Sequence, residues 1–230
     1  MKFIFLVLMV MLSPKLFAAE NPYGVFMVVR GDLKITEAAS QKATPAHVGA
    51  KVFQGDSILS GDDSSAKIVM SDRNVIVISA NSKITIQQYL SDDAEKKVEL
   101  QLDVGQIRVN VEKQYDGEKS TFNVITPSGV AGVRGTDFLS SYDPKTEKSE
   151  VITFSGTVAV GEKGPGSSIL NPVFVKKGES VVHARGQKPG KPRALTNAEL
   201  QQKNQRSKVK AAHQNSEEPA RKKHSRKDRH

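Results

Sequence analysis

The 230-residue chain contains no cysteine. This absence excludes disulfide bonds, and it also excludes a lipid anchor attached to a cysteine. The chain lacks any apolar run of the roughly 20 residues that are needed to cross a bilayer, because its longest run covers only residues 3–12. We therefore expect no membrane span in the mature chain, and we expect its stability to come from its core alone.

The amino terminus has the layout of a secretory signal peptide. Lys2 precedes the apolar run, and the small residues Ala18 and Ala19 follow it. A positively charged start, a short apolar segment and a small-residue end together direct export. We assign residues 1–18 to the signal peptide, with cleavage after Ala18 or Ala19, and we expect a periplasmic or secreted mature protein.

The net charge of +9 is distributed unevenly along the chain. Residues 184–230 carry a net charge of +10, whereas residues 19–183 carry a net charge of −3. The basic character therefore belongs to a tail that is attached to a mildly acidic domain. We divide the chain into a signal peptide (1–18), a domain (19–183) and a basic low-complexity tail (184–230).

Within residues 19–183 the pattern is one of short strands and turns. Val98, Leu100, Leu102 and Val104 alternate with polar residues, which places them on one face of a strand. Similar runs recur at spacings of roughly eight to twelve residues. Strands are predicted at 25–29, 67–70, 75–78, 83–87, 98–104, 106–112, 122–125, 137–139, 151–154, 157–160, 173–175 and 180–183. The pattern predicts an all-β fold of many short, mostly antiparallel strands, in a sandwich or a short solenoid-like β-roll.

Beyond His183 the pattern predicts no further strand. A linker rich in proline, glycine and basic residues leads to Thr196 and Glu199, whose spacing is that of a capping box for a helix over 197–211. This helix has almost no apolar face, so we expect little packing against the domain. From Gln214 onward the chain is polar and charged, which is typical of disorder.

The end of the tail is a candidate site for anionic partners. Its cations cluster at Arg221, Lys222, Lys223, Arg226, Lys227 and Arg229. Such a segment binds polyanions without directional contacts, and outside the cytoplasm these include phospholipid headgroups and cell-wall polymers. The alternative is a tail that only solubilises the protein. Because the tail has no aromatic residue, we expect no base stacking and no specific nucleic-acid partner.

No motif in the sequence predicts catalysis, a cofactor or a metal site. Gly129, Gly132 and Gly135 are not followed by a helix, so they do not form a nucleotide-binding loop. The aspartates lack the ligand spacing of a calcium loop and favour turns. The histidines are scattered, without the paired spacing of zinc ligands. We expect a protein that is not an enzyme and that has no cofactor and no metal.

Eight motifs occur in order along the domain, at 48–61, 65–72, 76–86, 98–109, 122–127, 133–138, 150–160 and 175–179. Together they resemble the FecR-type domain, which is the periplasmic module of the ferric citrate regulator family. The resemblance implies an all-β periplasmic fold. It also implies, for the transmembrane members, anti-sigma regulation that passes a signal from an outer-membrane receptor to a sigma factor. With no spanning helix predicted, this chain resembles a stand-alone secreted form.

Two residues of the 133–138 motif are candidate binding residues. Arg134 would present a guanidinium to a carboxylate on a ligand, with Thr136 beside it. In the alternative interpretation both satisfy buried backbone groups, and Gly135 permits a turn that a side chain would block. Structural roles are predicted for Gly55, Asp56, Gly61, Gly105, Thr126, Pro127, Gly135, Phe138 and Gly156.

These features favour a non-enzymatic, exported binding or scaffold module of the bacterial cell envelope. Its partner would be an envelope protein or an anionic envelope polymer. A second interpretation is an envelope signalling component that contacts a separate membrane regulator or receptor. A third is a polysaccharide-active enzyme, which a groove with clustered carboxylates would favour.

The signal-peptide assignment predicts the mass of the mature protein. Because residues 1–18 are expected to be removed on export, the intact mass of the protein from an envelope extract should lack the first 18 or 19 residues. Recovery of the full-length chain in the cytoplasm would contradict the assignment.

Overall fold

The computed structural model describes residues 21–91, 96–112, 115 and 120–208. The predicted signal peptide, residues 209–211 of the predicted helix and the cationic cluster at 221–229 lie outside these residues. Ser207 and Lys208 are described and are not helical, so the helix ends before the predicted position 211. The described residues form seventeen strands and one α-helix. No helix in this part of the chain is both long enough and apolar enough to traverse a bilayer.

The strands divide into two groups on either side of one long central strand. The first group is β1 (Gly24–Arg30), β2 (Leu33–Thr36), β3 (Ala43–Pro45), β4 (Lys51–Val52), β5 (Ser57–Ser60), β6 (Ser65–Met70), β7 (Val75–Ile78) and β8 (Lys83–Ser91). The central strand is β9 (Lys96–Asn110). The second group is β10 (Thr121–Ile125), β11 (Val130–Val133), β12 (Asp137–Asp143), β13 (Lys148–Ser155), β14 (Thr157–Lys163), β15 (Ile169–Lys176), β16 (Glu179–Ala184) and β17 (Arg193–Ala194). The helix is α1 (Asn197–Arg206).

The strands form two layers that share β9. Its first part pairs with β8 and β10, and its second part pairs with β7 and β12. Sheet A has the order β4-β1-β6-β7-β9-β12-β13-β16-β17. Sheet B has the order β3-β2-β5-β8-β9-β10-β11-β14-β15. Among the described strands, β9 and β10 are the one parallel pair.

β9 passes from sheet B to sheet A at Gly105. Its φ of 91° lies in the left-handed region that favours glycine, and an added Cβ would collide with Ser82 and the carbonyl of Asn81. The sequence predicted two strands with a turn at Gly105, and that detail was wrong. The chain bends at Gly105 and continues as one strand, because a glycine inside a strand also permits a sharp bend.

One hydrophobic core fills the space between the two layers. Leu100 and Leu102 reach it from the sheet B part of β9, and Ile107 and Val109 reach it from the sheet A part. These residues are fully buried, whereas most of the residues that alternate with them are partly exposed. The predicted all-β fold of short, mostly antiparallel strands is therefore confirmed.

Sheet A extends further along the chain than the sequence predicted. β17 pairs with the start of β16, with Ala194 opposite Glu179, so strand structure continues past His183. The capping box is formed as expected, because the Thr196 hydroxyl accepts from the Glu199 backbone and the Glu199 carboxylate accepts from Thr196.

Polar contacts dock α1 onto sheet A. Lys203 Nζ donates to Glu150 Oε2 at 2.7 Å, and Arg108 Nη1 donates to Asn204 Oδ1 at 2.6 Å. The expectation that this helix packs little rested on its missing apolar face. The helix itself buries no residue, and charged and amide side chains hold it to the sheet instead.

A buried polar cluster closes the turn between β6 and β7. The Asp72 carboxylate accepts hydrogen bonds from the hydroxyls of Tyr89 at 2.6 Å and Tyr115 at 2.9 Å, and from Asn74 Nδ2 at 2.7 Å. All four residues are buried. Burial, and then the charge of Asp72, raise the pKa of both tyrosine hydroxyls well above the ordinary value of about 10.

These raised pKa values predict a loss of stability in alkaline solution. An unfolded tyrosine releases its proton near pH 10, whereas the folded protein retains both phenolic protons. The stabilising effect is therefore complete below about pH 10 and is lost as the pH rises above it. Each phenol lowers the free energy of unfolding by about 1.4 kcal/mol per pH unit in that range.

Urea unfolding between about pH 9 and pH 11 measures this slope. Tyr89→Phe should lower the free energy of unfolding at neutral pH by about 1–3 kcal/mol, because the buried Asp72 carboxylate loses a donor. The same variant should have a shallower alkaline slope than the wild type. An equal slope in both proteins would contradict the protonated state assigned to the cluster.

Candidate functional site

The 133–138 motif is the corner at which the chain crosses from sheet B to sheet A. Gly135 has a φ of 78°, a conformation that favours glycine. Thr136 is buried, and its carbonyl accepts a hydrogen bond from the backbone N–H of Val111 at 2.8 Å. Phe138 lies in the core. Of the two predicted binding residues, Arg134 therefore reaches the surface and Thr136 does not.

Asp137, which the sequence did not single out, carries the ionic interaction of this motif. Arg108 donates to both of its carboxylate oxygens, from Nε at 2.8 Å and from Nη2 at 2.6 Å. The Arg108 guanidinium also lies 4.2 Å from the centre of the Phe154 ring. This bidentate pair joins β9 to β12. It is largely buried, because only 12% of the Arg108 side chain is exposed.

Arg134 lies at the rim of a groove on the outer face of sheet B, which we call the Arg134 groove. Asn123, Gly132, Ala159 and Phe174 form a row across β10, β11, β14 and β15. The two central residues are small, the Ile169 side chain lies over Gly132, and the large Phe174 ring stands at one side. The volume of this open groove is about 690 Å3.

One wall of the groove is an edge strand. Among the described strands, β15 pairs only with β14, so its other side pairs with no described strand. Side chains occupy two backbone groups near its end, because the Lys176 N–H donates to Glu179 Oε2 and the Val175 carbonyl accepts from Thr153 Oγ1. Leu170 and Phe174 on this strand are 46% and 59% exposed. Pro172 removes one backbone donor, as is common on an edge. An edge with exposed apolar side chains can accept an added strand or an apolar segment of a partner.

Arg134 is the one charged residue among the described residues that line the groove. The described residues that line it include no aspartate, glutamate or histidine. Arg134 is exposed, and no carboxylate of the described residues lies within 4.0 Å of it. Its planar guanidinium is therefore open to a carboxylate on a ligand, which it would bind with two parallel hydrogen bonds.

Two further motif residues hold turns together. Asp56 is buried and accepts hydrogen bonds from the backbone N–H groups of Ala38 at 3.0 Å and Phe53 at 2.9 Å. Thr126 begins the β10–β11 turn, which continues through the exposed Pro127, and its hydroxyl donates to the Gly129 carbonyl at 3.1 Å. Both side chains therefore satisfy groups of the fold rather than forming a surface site.

The remaining motif glycines lie in loops and at strand ends. Gly55 and Gly156 have φ angles of 82° and 81°, whereas Gly61 is not in the left-handed region. Gly61 donates its N–H to the Asp32 carbonyl at 2.9 Å. Gly156 packs against Thr136 beside the Arg134 groove.

No catalytic arrangement accompanies these features in the described part of the chain. Within it, no group of three metal-ligating side chains is close enough to hold an ion. His183 is buried, and its Nε2 lies 2.7 Å from the Gln187 carbonyl. The six predicted cations at 221–229 lie outside the described residues, so their binding role stays a prediction.

The contrast between Arg134 and Gly135 can be tested by substitution. Arg134→Ala removes an exposed side chain and should change the free energy of unfolding by less than about 0.5 kcal/mol. Gly135→Val forces a β-branched residue into the left-handed region and should cost about 1–3 kcal/mol. Thermal and urea unfolding measure both changes. A large loss of stability from Arg134→Ala would assign Arg134 to the fold.

Comparisons with known proteins agree with the resemblance noted in the motifs. Residues 56–159 match the family model described as FecR protein. A candidate anti-sigma factor from Parabacteroides distasonis has a similar fold, with a TM-score of 0.50, 16% identity, and coverage of 65% of this chain and 64% of that one. A second structure of a candidate anti-sigma factor from the same organism gives a TM-score of 0.48 and 16% identity, covering 63% and 62% of the two chains.

At this identity the likeness concerns the fold. The match spans less than two thirds of the length of these solved chains. A search of curated protein sequences found no match. The ordered motifs and the two layers that share β9 agree with the family match, which covers residues 56–159 of this chain.

Proposed function

We propose that this chain is an exported, non-enzymatic module of the bacterial cell envelope that binds a partner protein through the Arg134 groove. The proposal rests on the composition of the Arg134 groove. The groove combines an exposed guanidinium, small residues on its floor and an apolar edge strand, and its described lining residues include no aspartate, glutamate or histidine. Export rests on the predicted signal peptide.

The chemistry of the groove suggests the kind of segment that it takes. Phe174 offers apolar contact in the groove and Arg134 offers a charged anchor at its rim. Leu170 is a further exposed apolar residue on the same edge strand, outside the lining of the groove. An extended segment with an apolar side chain and an aspartate, a glutamate or a terminal carboxylate fits both features. Such a segment could pair with β15 through its backbone and place its carboxylate at Arg134.

The second candidate function is a signalling role in the envelope, in which the bound partner is a membrane regulator or receptor. The match to the FecR family favours it. The binding role and the signalling role use the same surface of the protein. They differ in their effect on transcription, because only the loss of a signalling component changes gene expression. Transcript levels in a deletion strain, complemented by wild type or by Arg134→Glu, separate them.

A comparison of proteins captured from the envelope tests the binding role. The mature chain, Arg134→Glu and the control Arg73→Glu serve as baits, with quantitative mass spectrometry of the eluted proteins. Arg73 is also exposed, but it lies in the β6–β7 turn. Arg134→Glu should reduce capture of the partner about tenfold or more, because it replaces a charge-assisted pair with repulsion.

The control variant Arg73→Glu should capture the partner as well as the wild type. Equal capture by all three baits would show that the groove does not bind the partner. Equal losses in both variants would show that net charge alone governs association. Either result would contradict the proposal.

A further inference from the structure

A second cavity lies where the carboxyl end of α1 meets sheet A, and we call it the Arg30 pocket. Three cations line it: Arg30 at the end of β1, Arg206 at the end of α1, and Lys208 just beyond. Asp63 and several serines complete the lining, and the volume is about 540 Å3. The pocket is on a different layer from the Arg134 groove.

The three cations are not neutralised by the domain. Arg30, Arg206 and Lys208 are exposed, and no carboxylate of the described residues lies within 4.0 Å of any of them. Even with Asp63 counted, the lining carries two net positive charges. The carboxyl end of a helix contributes a partial negative charge of roughly one half, which is too small to cancel them.

The docking of α1 holds the backbone that connects two of the cations. Arg108 Nη1 donates to the Ser207 hydroxyl at 3.0 Å as well as to Asn204, and Ser207 is almost fully buried. Arg108 is itself fixed by Asp137. This chain of contacts fixes Ser207, which separates Arg206 from Lys208, on the outer face of sheet A, and Arg30 faces the same cavity from β1.

We infer that the Arg30 pocket binds a phosphomonoester group of an envelope component. A doubly charged phosphate matches the net charge of the lining, and guanidinium groups pair with its oxygens through two parallel hydrogen bonds each. The Ser65 hydroxyl lies in the same lining as a further donor. The cavity is larger than a phosphate group, so it admits part of the molecule that carries the phosphate. This site does not depend on the partner proposed for the Arg134 groove.

Binding to the mature full chain at fixed ionic strength tests the inference. The probes are inorganic phosphate and glucose 1-phosphate, measured by calorimetry, and vesicles of phosphatidylcholine with or without phosphatidic acid, measured by sedimentation. The variants are Arg30→Gln on the sheet side and Arg206→Gln on the helix side. Arg73→Gln is the matched control, because it removes the same charge at the opposite end of β6.

Arg30→Gln and Arg206→Gln should each weaken binding of the phosphate probes about tenfold or more, because each removes a charge-assisted contact. Arg73→Gln should leave the affinity within about twofold, since a distant exposed charge is largely screened. Arg134→Glu should leave phosphate binding unchanged.

The vesicle arm distinguishes the source of the phosphate. Binding of glucose 1-phosphate without vesicle binding indicates a soluble or glycan-borne phosphate, and Arg30-dependent binding to phosphatidic acid vesicles indicates a lipid headgroup. Both results support the pocket. Binding of inorganic phosphate and glucose 1-phosphate that is absent from the wild type or unchanged in Arg30→Gln, or equal weakening by all three Arg→Gln variants, would overturn it and leave only non-directional attraction by the basic tail.

Discussion

The fold depends on one strand that belongs to two sheets. β9 pairs with β8 and β10 before Gly105 and with β7 and β12 after it. Its alternating residues supply the middle of the core in both layers. A shift of register by one residue would turn these side chains outward along the whole strand, so the register is fixed by burial on both sides of the bend.

An ionic interaction between the 133–138 motif and β9 stabilises the fold, whereas the other charged residue near it, Arg134, is exposed. The pair of Arg108 and Asp137 ties β9 to β12 and also supports α1 through Asn204. Arg134, three residues before Asp137, has no comparable partner among the described residues. One short motif therefore contains a structural carboxylate and an exposed cation. This division places the candidate Arg134 groove beside a rigid corner of the fold, where its geometry is set by buried contacts.

The sequence predicted the strands whose burial follows a clear period of two. β8, β9 and the β6–β7 hairpin belong to this class, because their apolar residues alternate over several positions. β5 and β11 were not predicted. Each is four residues long, and one contains a glycine that resembles a turn signal. The local sequence pattern does not distinguish a glycine inside a strand from a glycine between two strands. For this reason the sequence predicts a turn at Gly105, where the structure has a bend within β9.

The polar interactions could not be predicted because their partners are distant in sequence. Tyr115 reaches Asp72 across 43 positions, and Asn204 reaches Arg108 across 96 positions. The turn at 71–74 therefore resembled an ordinary hairpin, and α1 resembled a helix without a docking surface. The Arg134 groove was missed for the same reason, because Gly132, Ala159 and Phe174 come together only through the pairing of β11, β14 and β15.

The most direct test of the central claim is site-specific photo-cross-linking in the intact envelope. A photoreactive amino acid replaces Thr157, which is exposed on the rim of the Arg134 groove, or Leu59, which is exposed on β5 in the other half of sheet B. We expect a covalent adduct with an envelope protein from position 157, and we expect this adduct to be lost when Arg134→Glu is added. No such adduct is expected from position 59. Equal adducts from both positions, or an adduct from position 157 that persists with Arg134→Glu, would contradict the claim.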